Sequence, residues 1–153
     1  MISYLIIKTN MTMKFLTAAI FIFLLTSCSI SSDNNVPQFV RAEWHLKNVS
    51  GGIDGVNNNF DLNTIIWAFN ESLGTLNITN NNTDTTKEDG FDTGNYTFSL
   101  INNSNNSFIV INQNELGSLT ILNNQLIINQ NEKSTGAGAD GYIYTFKLVE
   151  ITE

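Results

Sequence analysis

An all-β fold, a small antiparallel up-and-down barrel of about eight strands, is what this sequence predicts, and three observations carry the prediction. Short segments alternate apolar and polar residues with period two and are rich in aromatic and β-branched side chains, as in Thr64–Asn70 and Gly141–Ile151. Asparagines fall between these segments in clusters: Asn57-Asn58-Asn59, Asn80-Asn81-Asn82, Asn102-Asn103, Asn105-Asn106 and Asn123-Asn124. Asparagine tolerates positive φ and hydrogen-bonds its own backbone, so such clusters mark turns. Finally, no segment after Cys28 carries a helix signal. Regular alternation between the clusters sets the chain apart from an asparagine-rich disordered one. Consecutive antiparallel strands with no helix to cover them must hide their edges, which favours closure into a barrel, with a two-sheet β-sandwich as the alternative.

The strands follow in order. The first, Val40–Val49, places Trp44 and Leu46 on one face and Glu43, His45 and Lys47 on the other. Thr64–Asn70 (Ile65, Trp67, Phe69) and Gly74–Thr79 (Leu76, Ile78) are joined by a tight turn. Asn95–Ile101 offers Tyr96, Phe98 and Leu100; Ser107–Asn112 and Gly117–Leu122 come next, then Asn123-Asn124 as a two-residue hairpin turn into Gln125–Gln130. The last, Gly141–Ile151, stacks Tyr142, Tyr144, Phe146 and Leu148 on one face. Ser134–Gly141, with its three glycines, reads as a mobile connection able to gate one barrel mouth.

The amino-terminal part differs in kind. The apolar run Phe15–Leu25 follows Lys14 and would cover only about 16 Å as a helix, whereas a bilayer core of roughly 30 Å needs about 20 residues. A positive start, a short apolar centre and the small residues Thr26 and Ser27 make it a signal helix, to be removed, with Met11 or Met13 as the expected true start. Leu25-Thr26-Ser27-Cys28 resembles the lipobox of bacterial lipoproteins. That resemblance implies cleavage before Cys28, the only cysteine, and a lipid on its sulfur. The division expected is therefore residues 1–27 signal peptide, 28–38 lipidated tether and 39–153 barrel domain. The tether closes with the only proline, Pro37. Acylation matters energetically, because each buried CH₂ contributes about 0.8 kcal/mol.

The formal charge of −7 includes Lys8 and Lys14, both upstream of Cys28, while all acids lie downstream, so the mature chain carries about −9. Nucleic acid is excluded as a partner, because counterion release needs clustered Lys and Arg. Electrostatic docking to an anionic membrane is equally disfavoured, which leaves the lipid on Cys28 as the anchor.

Trp44, a Trp67-Ala68-Phe69 strand, Gly94-Asn95-Tyr96 and a final Asp140-Gly141-Tyr142-Ile143-Tyr144-Thr145-Phe146 resemble, over Gln38–Ile151, the lipocalin-like domains of Bacteroidetes lipoproteins. Lipocalin-type first strands carry Gly-x-Trp, and here Ala42-Glu43-Trp44 stands in its place. The resemblance implies a calycin-like barrel on an envelope lipoprotein, expected at the outer membrane; Ser29, Ser31, Ser32 and Asp33 after the cysteine resemble a surface-export signal, and outward and periplasmic orientations are both open. An eight-stranded barrel is just wide enough to be filled by side chains or to hold one small ligand. Core packing is the ordinary role of the inward aromatics Trp44, Trp67, Phe69, Tyr96, Phe98, Tyr144 and Phe146. If a cavity survives, Trp67, Tyr96 and Tyr144 are the candidates to line it, the two hydroxyls orienting an apolar or amphipathic ligand.

No catalytic constellation emerges, and no enzymatic activity, cofactor or metal is expected. His45, the only histidine, is placed by strand phase on the solvated face, without the base, orienter and nucleophile of acyl transfer. Asp84, Glu88, Asp89 and Asp92 share one loop with Gly90, but their spacing is not that of a calcium loop and Lys87 intrudes. Asp84-Thr85-Thr86 resembles the short O-glycosylation motif of Bacteroidetes exported proteins. Two functions of different class are thus expected: a lipid-anchored module binding a small apolar molecule, or a filled-core lipoprotein docking an envelope protein.

Overall fold

The structure, a computed structural model, describes residues 40–103 and 105–152. The signal helix, Cys28 and the tether lie outside the described residues. By contacts the chain divides into residues 1–37 and 38–153, and the second unit is the barrel.

Eleven strands form among the described residues: β1 (Val40–Gly51), β2 (Val56–Asn59), β3 (Ile65–Asn70), β4 (Thr75–Asn80), β5 (Gly94–Asn103), β6 (Asn106–Ile111), β7 (Asn114–Leu122), β8 (Gln125–Asn129), β9 (Glu132–Lys133), β10 (Gly136–Ala137) and β11 (Tyr142–Thr152). β1, β3, β4, β5, β6, β7, β8 and β11 pair antiparallel with their neighbours in that order, and β11 returns to pair with β1 from Val40↔Thr152 to Gly51↔Tyr142. This pairing closes an eight-stranded barrel, removes every sheet edge from it and excludes the sandwich. The eight expected strands are these eight. β2, β9 and β10 are additions: β2 extends the first hairpin along β1 (Gly51↔Val56 to Asn48↔Asn59), and β9–β10 is a separate small hairpin.

The predicted inward face holds. Leu46, Ile65, Trp67, Leu76, Ile78, Ile109, Ile111, Leu126, Ile128, Tyr144 and Phe146 form one buried cluster with Val49, and Trp44, Phe69, Tyr96 and Phe98 pack against it partly buried. Val49 is out of phase with Trp44 and Leu46, and a β-bulge between Leu46 and Asn48 corrects the phase. A second bulge, between Ile109 and Val110 on the β6 side, leaves Leu116 without a cross-strand partner and follows the two-residue turn Asn112-Gln113, both at positive φ. Asn123 and Asn124 also have positive φ, as the predicted hairpin turn requires.

His45 corrects the sequence reading. Its phase is outward as expected, yet it is only 3% exposed. The chain between β2 and β3 lies over this face, and His45 Nδ1 donates to the carbonyl of Leu62. Outward phase is therefore not exposure wherever a connection recrosses the sheet. Ser134–Gly141, expected to be a mobile gate, is instead tied down. Ser134 N–H and O–H donate to the two carboxylate oxygens of Glu115, each at 2.6 Å, Gly136–Ala137 pair with β9, and the Gly141 N–H donates to Asn131 Oδ1 at 2.7 Å.

The register gives the barrel two distinct ends. Val40 and Thr152 mark the near end, with the β3–β4, β5–β6 and β7–β8 turns. The β1–β2, β4–β5, β6–β7 and β8–β11 connections mark the far end.

Candidate functional site

The far end is plugged. The β4–β5 connection is built from successive Asx turns, in which Asn80, Asn82 and Asp84 side-chain oxygens accept the N–H two residues on. Asp84 is held below the usual carboxylate range, first by the Thr86 hydroxyl and then by its N–H. This loop carries Phe91 against Trp67 (ring centroids 5.7 Å) and Tyr96 (5.3 Å), while Lys87 lies 5.3 Å over the Phe60 ring. The Tyr144 hydroxyl donates to Glu88 Oε1 at 3.0 Å, and that of Tyr96 to the Asp92 carbonyl at 2.9 Å. Burial, and after it the Glu88 carboxylate, pushes the Tyr144 phenol far above its ordinary range. Trp67 is fully enclosed by Phe69, Phe91 and Phe146, and its Nε1–H has no acceptor.

The three ligand-lining candidates, Trp67, Tyr96 and Tyr144, therefore come together under the plug. Two of the hydroxyl and ring functions that would orient a ligand are used to hold the β4–β5 loop. The acids Glu88, Asp89 and Asp92 lie in the same plug, and no group of three or more metal-ligating side chains forms among the described residues.

The near end is open. A cavity of about 90 Å³ is lined by Trp44, Phe69, Phe98, Leu100, Ile109, Leu119, Ile121 and Leu126, with Glu71 as the single charged group. These residues come from β1, β3, β5, β6, β7 and β8, with Glu71 in the β3–β4 turn. Phe69 and Phe98 meet edge to face, centroids 5.0 Å apart, and form part of the floor toward the core. Around this mouth stand exposed aliphatic side chains: Leu73 (72% exposed), Leu122 (64%), Ile121 (59%), Leu100 and Ile101. Of the large apolar residues exposed among the described ones, only Ile53 lies elsewhere, in the β1–β2 turn at the far end. Trp44, Phe69, Phe98 and Leu100 were predicted to face inward, but their convergence with Leu119 and Ile121 on one opening was not. A mouth is a sum over six strands, and no single strand's pattern carries it.

Sites that enclose a whole small molecule are usually about 300–1,000 Å³. The near mouth is well below that, because the aromatic cluster fills the middle of the barrel. Chemically it can desolvate the end of an apolar chain and place one carboxylate, Glu71, beside it.

The fold defines a class, the small closed eight-stranded antiparallel barrel, consistent with a calycin-like fold. Compared with known proteins, the chain matches no family model, no curated protein and no solved structure.

Proposed function

We propose that this chain is a lipid-anchored, extracytoplasmic envelope module, held by an acylated Cys28 at the outer membrane and facing outward, which receives the end of an apolar or amphipathic molecule in its near mouth. The reading has no catalytic step and no cofactor. One observation carries it: an apolar opening ringed by exposed leucines and isoleucines, in a chain with only 14% charged residues but a net charge of −7. Contiguous exposed apolar surface is costly to keep in water and marks contact sites. The lipobox-like Leu25-Thr26-Ser27-Cys28 supports the anchor, and the lipocalin-like strand motifs support the barrel as a binding module.

Two measurements test it. Cys28→Ser should abolish the acyl mass and leave the signal uncleaved; a processed protein with normal membrane retention overturns the anchor. Residues 38–153 have a closed sheet and a core of their own, so this unit can be titrated with a fluorescent fatty acid. Saturable binding, lost in Leu119→Trp, which fills the mouth, is the expected result. Absence of binding points to the filled-core module that docks an envelope protein.

A further inference from the structure

We infer that the near mouth faces a phospholipid bilayer, with its aliphatic rim seated in the membrane surface and the acidic plug pointing away. This rests on the Cys28 anchor and adds an orientation to it.

The first observation is where the chain enters the barrel. The segment between Cys28 and the fold, residues 28–39, joins at Val40, the first residue of β1. β1 and β11 both have their outer termini here, paired as Val40↔Thr152. Counting outward along β1 and β3 from Trp44↔Trp67 brings Val40 to the level of Glu71, which lines the mouth. A polar, Ser- and Asn-rich linker of twelve residues has a root-mean-square span of roughly 20 Å. A strand as long as β1, tilted at about 40° as barrel strands are, adds roughly 30 Å of height beyond that. An anchor at Cys28 consequently holds the near end within the headgroup zone far more often than the far end.

The second observation is which side chains stand at that end. Leu73, Leu100, Ile101, Ile121 and Leu122 all lie within a few residues of the near-end turns, and Leu73 and Leu122 expose most of their surface. Ile101 and Leu122 point outward from the barrel, in opposite phase to Leu100 and Ile121, so the apolar collar continues past the cavity onto the outer wall. A ligand inside the mouth would not reach these two; a lipid surface would.

The third is charge. Asp54, Asp84, Glu88, Asp89, Asp92, Glu132 and Asp140 sit in far-end connections, accompanied there by Lys87 and Lys133. The near end carries Glu71, Glu150, Lys147 opposite Gln125, and Glu43 with Arg41, the last two paired at 2.9 Å. A leaflet containing anionic lipids repels the far end most strongly, over a Debye length of about 8 Å at physiological salt, and favours the same orientation as the apolar collar.

The test uses the full, processed chain in vesicles of phosphatidylcholine and phosphatidylglycerol doped with nitroxide-labelled phosphatidylcholine. Single variants Leu73→Cys, Leu122→Cys and Asp54→Cys carry an environment-sensitive fluorophore, and intact mass on the same samples reads acylation at Cys28. The expected result is blue-shifted emission and at least threefold stronger quenching at residues 73 and 122 than at 54. Acylated protein with equal quenching at all three overturns the orientation and leaves the anchor standing. Unacylated protein overturns both.

Discussion

The hydroxyl of Tyr144, on the last strand, donates to Glu88 Oε1 in the β4–β5 loop at 3.0 Å, across 56 residues of sequence. With the bond from the Tyr96 hydroxyl to the Asp92 carbonyl it ties the barrel wall to its plug, and it is made by a side chain that is itself buried. Tyr144→Phe keeps the ring packing and removes only the bond. Because the acceptor is charged but still partly hydrated, the expected loss is about 1–2 kcal/mol of unfolding free energy by urea titration. Amide exchange should accelerate in residues 83–93 before it does in the strands, and uniform acceleration would contradict the plug as a separate unit.

The same tyrosine gives an alkaline limb. Its folded pKa lies above the unfolded value of 10.0, so above pH 10 the unfolded state releases its proton first and binds fewer protons than the native one. The contribution is fully present below pH 10 and is lost as pH rises further. Stability should fall more steeply above pH 10 in the parent than in Tyr144→Phe, and tyrosinate absorbance should show one fewer group titrating in the folded protein than in urea.

An acidic limb belongs to Glu115. Both its oxygens accept from Ser134, and Lys133 Nζ donates to the Glu115 and Leu116 carbonyls at 2.7 and 2.9 Å, which pins the β9–β10 hairpin to β7. The Ser134 hydroxyl first, then its N–H, holds the carboxyl below its ordinary 4.5. A depressed folded pKa means stability present above the ordinary carboxylate range and lost as pH falls below it. Glu115→Gln should flatten stability against pH between about 5 and 3 and should raise exchange at the Ser134 and Gly136 amides at neutral pH. An unchanged acid limb would count against this pin.

How much of this was readable beforehand depends on whether a feature is local. Trp67, Phe69, Tyr144 and Phe146 declared their faces through simple alternation, and Asn123-Asn124 declared its turn through its tolerance of positive φ. The alternation puts the β6–β7 connection at residues 113–116, whereas the turn is the tighter Asn112-Gln113, and β2 is hidden because Val56-Asn57-Asn58-Asn59 looks like a turn cluster. In the fold these asparagines serve β1 instead, Asn48 Nδ2 donating to Asn57 Oδ1 at 2.7 Å and to Asn59 Oδ1 at 3.0 Å. Strand phase gives the face of His45 but not its burial, because Leu62 reaches it from 17 residues away. The plug over Trp67 and the open mouth beside Trp44 are likewise long-range. Both tryptophans alternate identically in sequence, and they are direct cross-strand partners.

His45→Ala tests the covered outer face. Removing the imidazole strips the Leu62 carbonyl of its donor and leaves Glu43 without the nitrogen 3.5 Å from its Oε2. A part-buried acceptor left without its protein donor costs about 1 kcal/mol, and most of that should be recovered in His45→Gln if the lost donor, not lost volume, is responsible. Equal destabilisation by both would make packing the cause.

Gly117 sets the closest approach in the wall. A Cβ there would sit 2.2 Å from the Asn129 carbonyl oxygen, beside the β6–β7 bulge that leaves Leu116 without a cross-strand partner. The three nearest atoms, the Asn129 carbonyl oxygen and carbon and the Gln130 Cα, are all main chain, so no side-chain rotation relieves the clash and β7 must move away from β8. Overpacking of this kind costs about 1–3 kcal/mol, and here it also strains the seam that carries Leu119 and Ile121 to the mouth. Gly117→Ala should therefore lower the urea midpoint and weaken fatty-acid binding together. Leu122→Ser, on the exposed collar and outside the cavity lining, should leave the midpoint and the binding of a soluble fatty acid unchanged while reducing contact with vesicles. If Gly117→Ala lowers stability and binding stays at the parent level, the mouth does not depend on the wall that frames it, and the ligand must be sought elsewhere on the barrel.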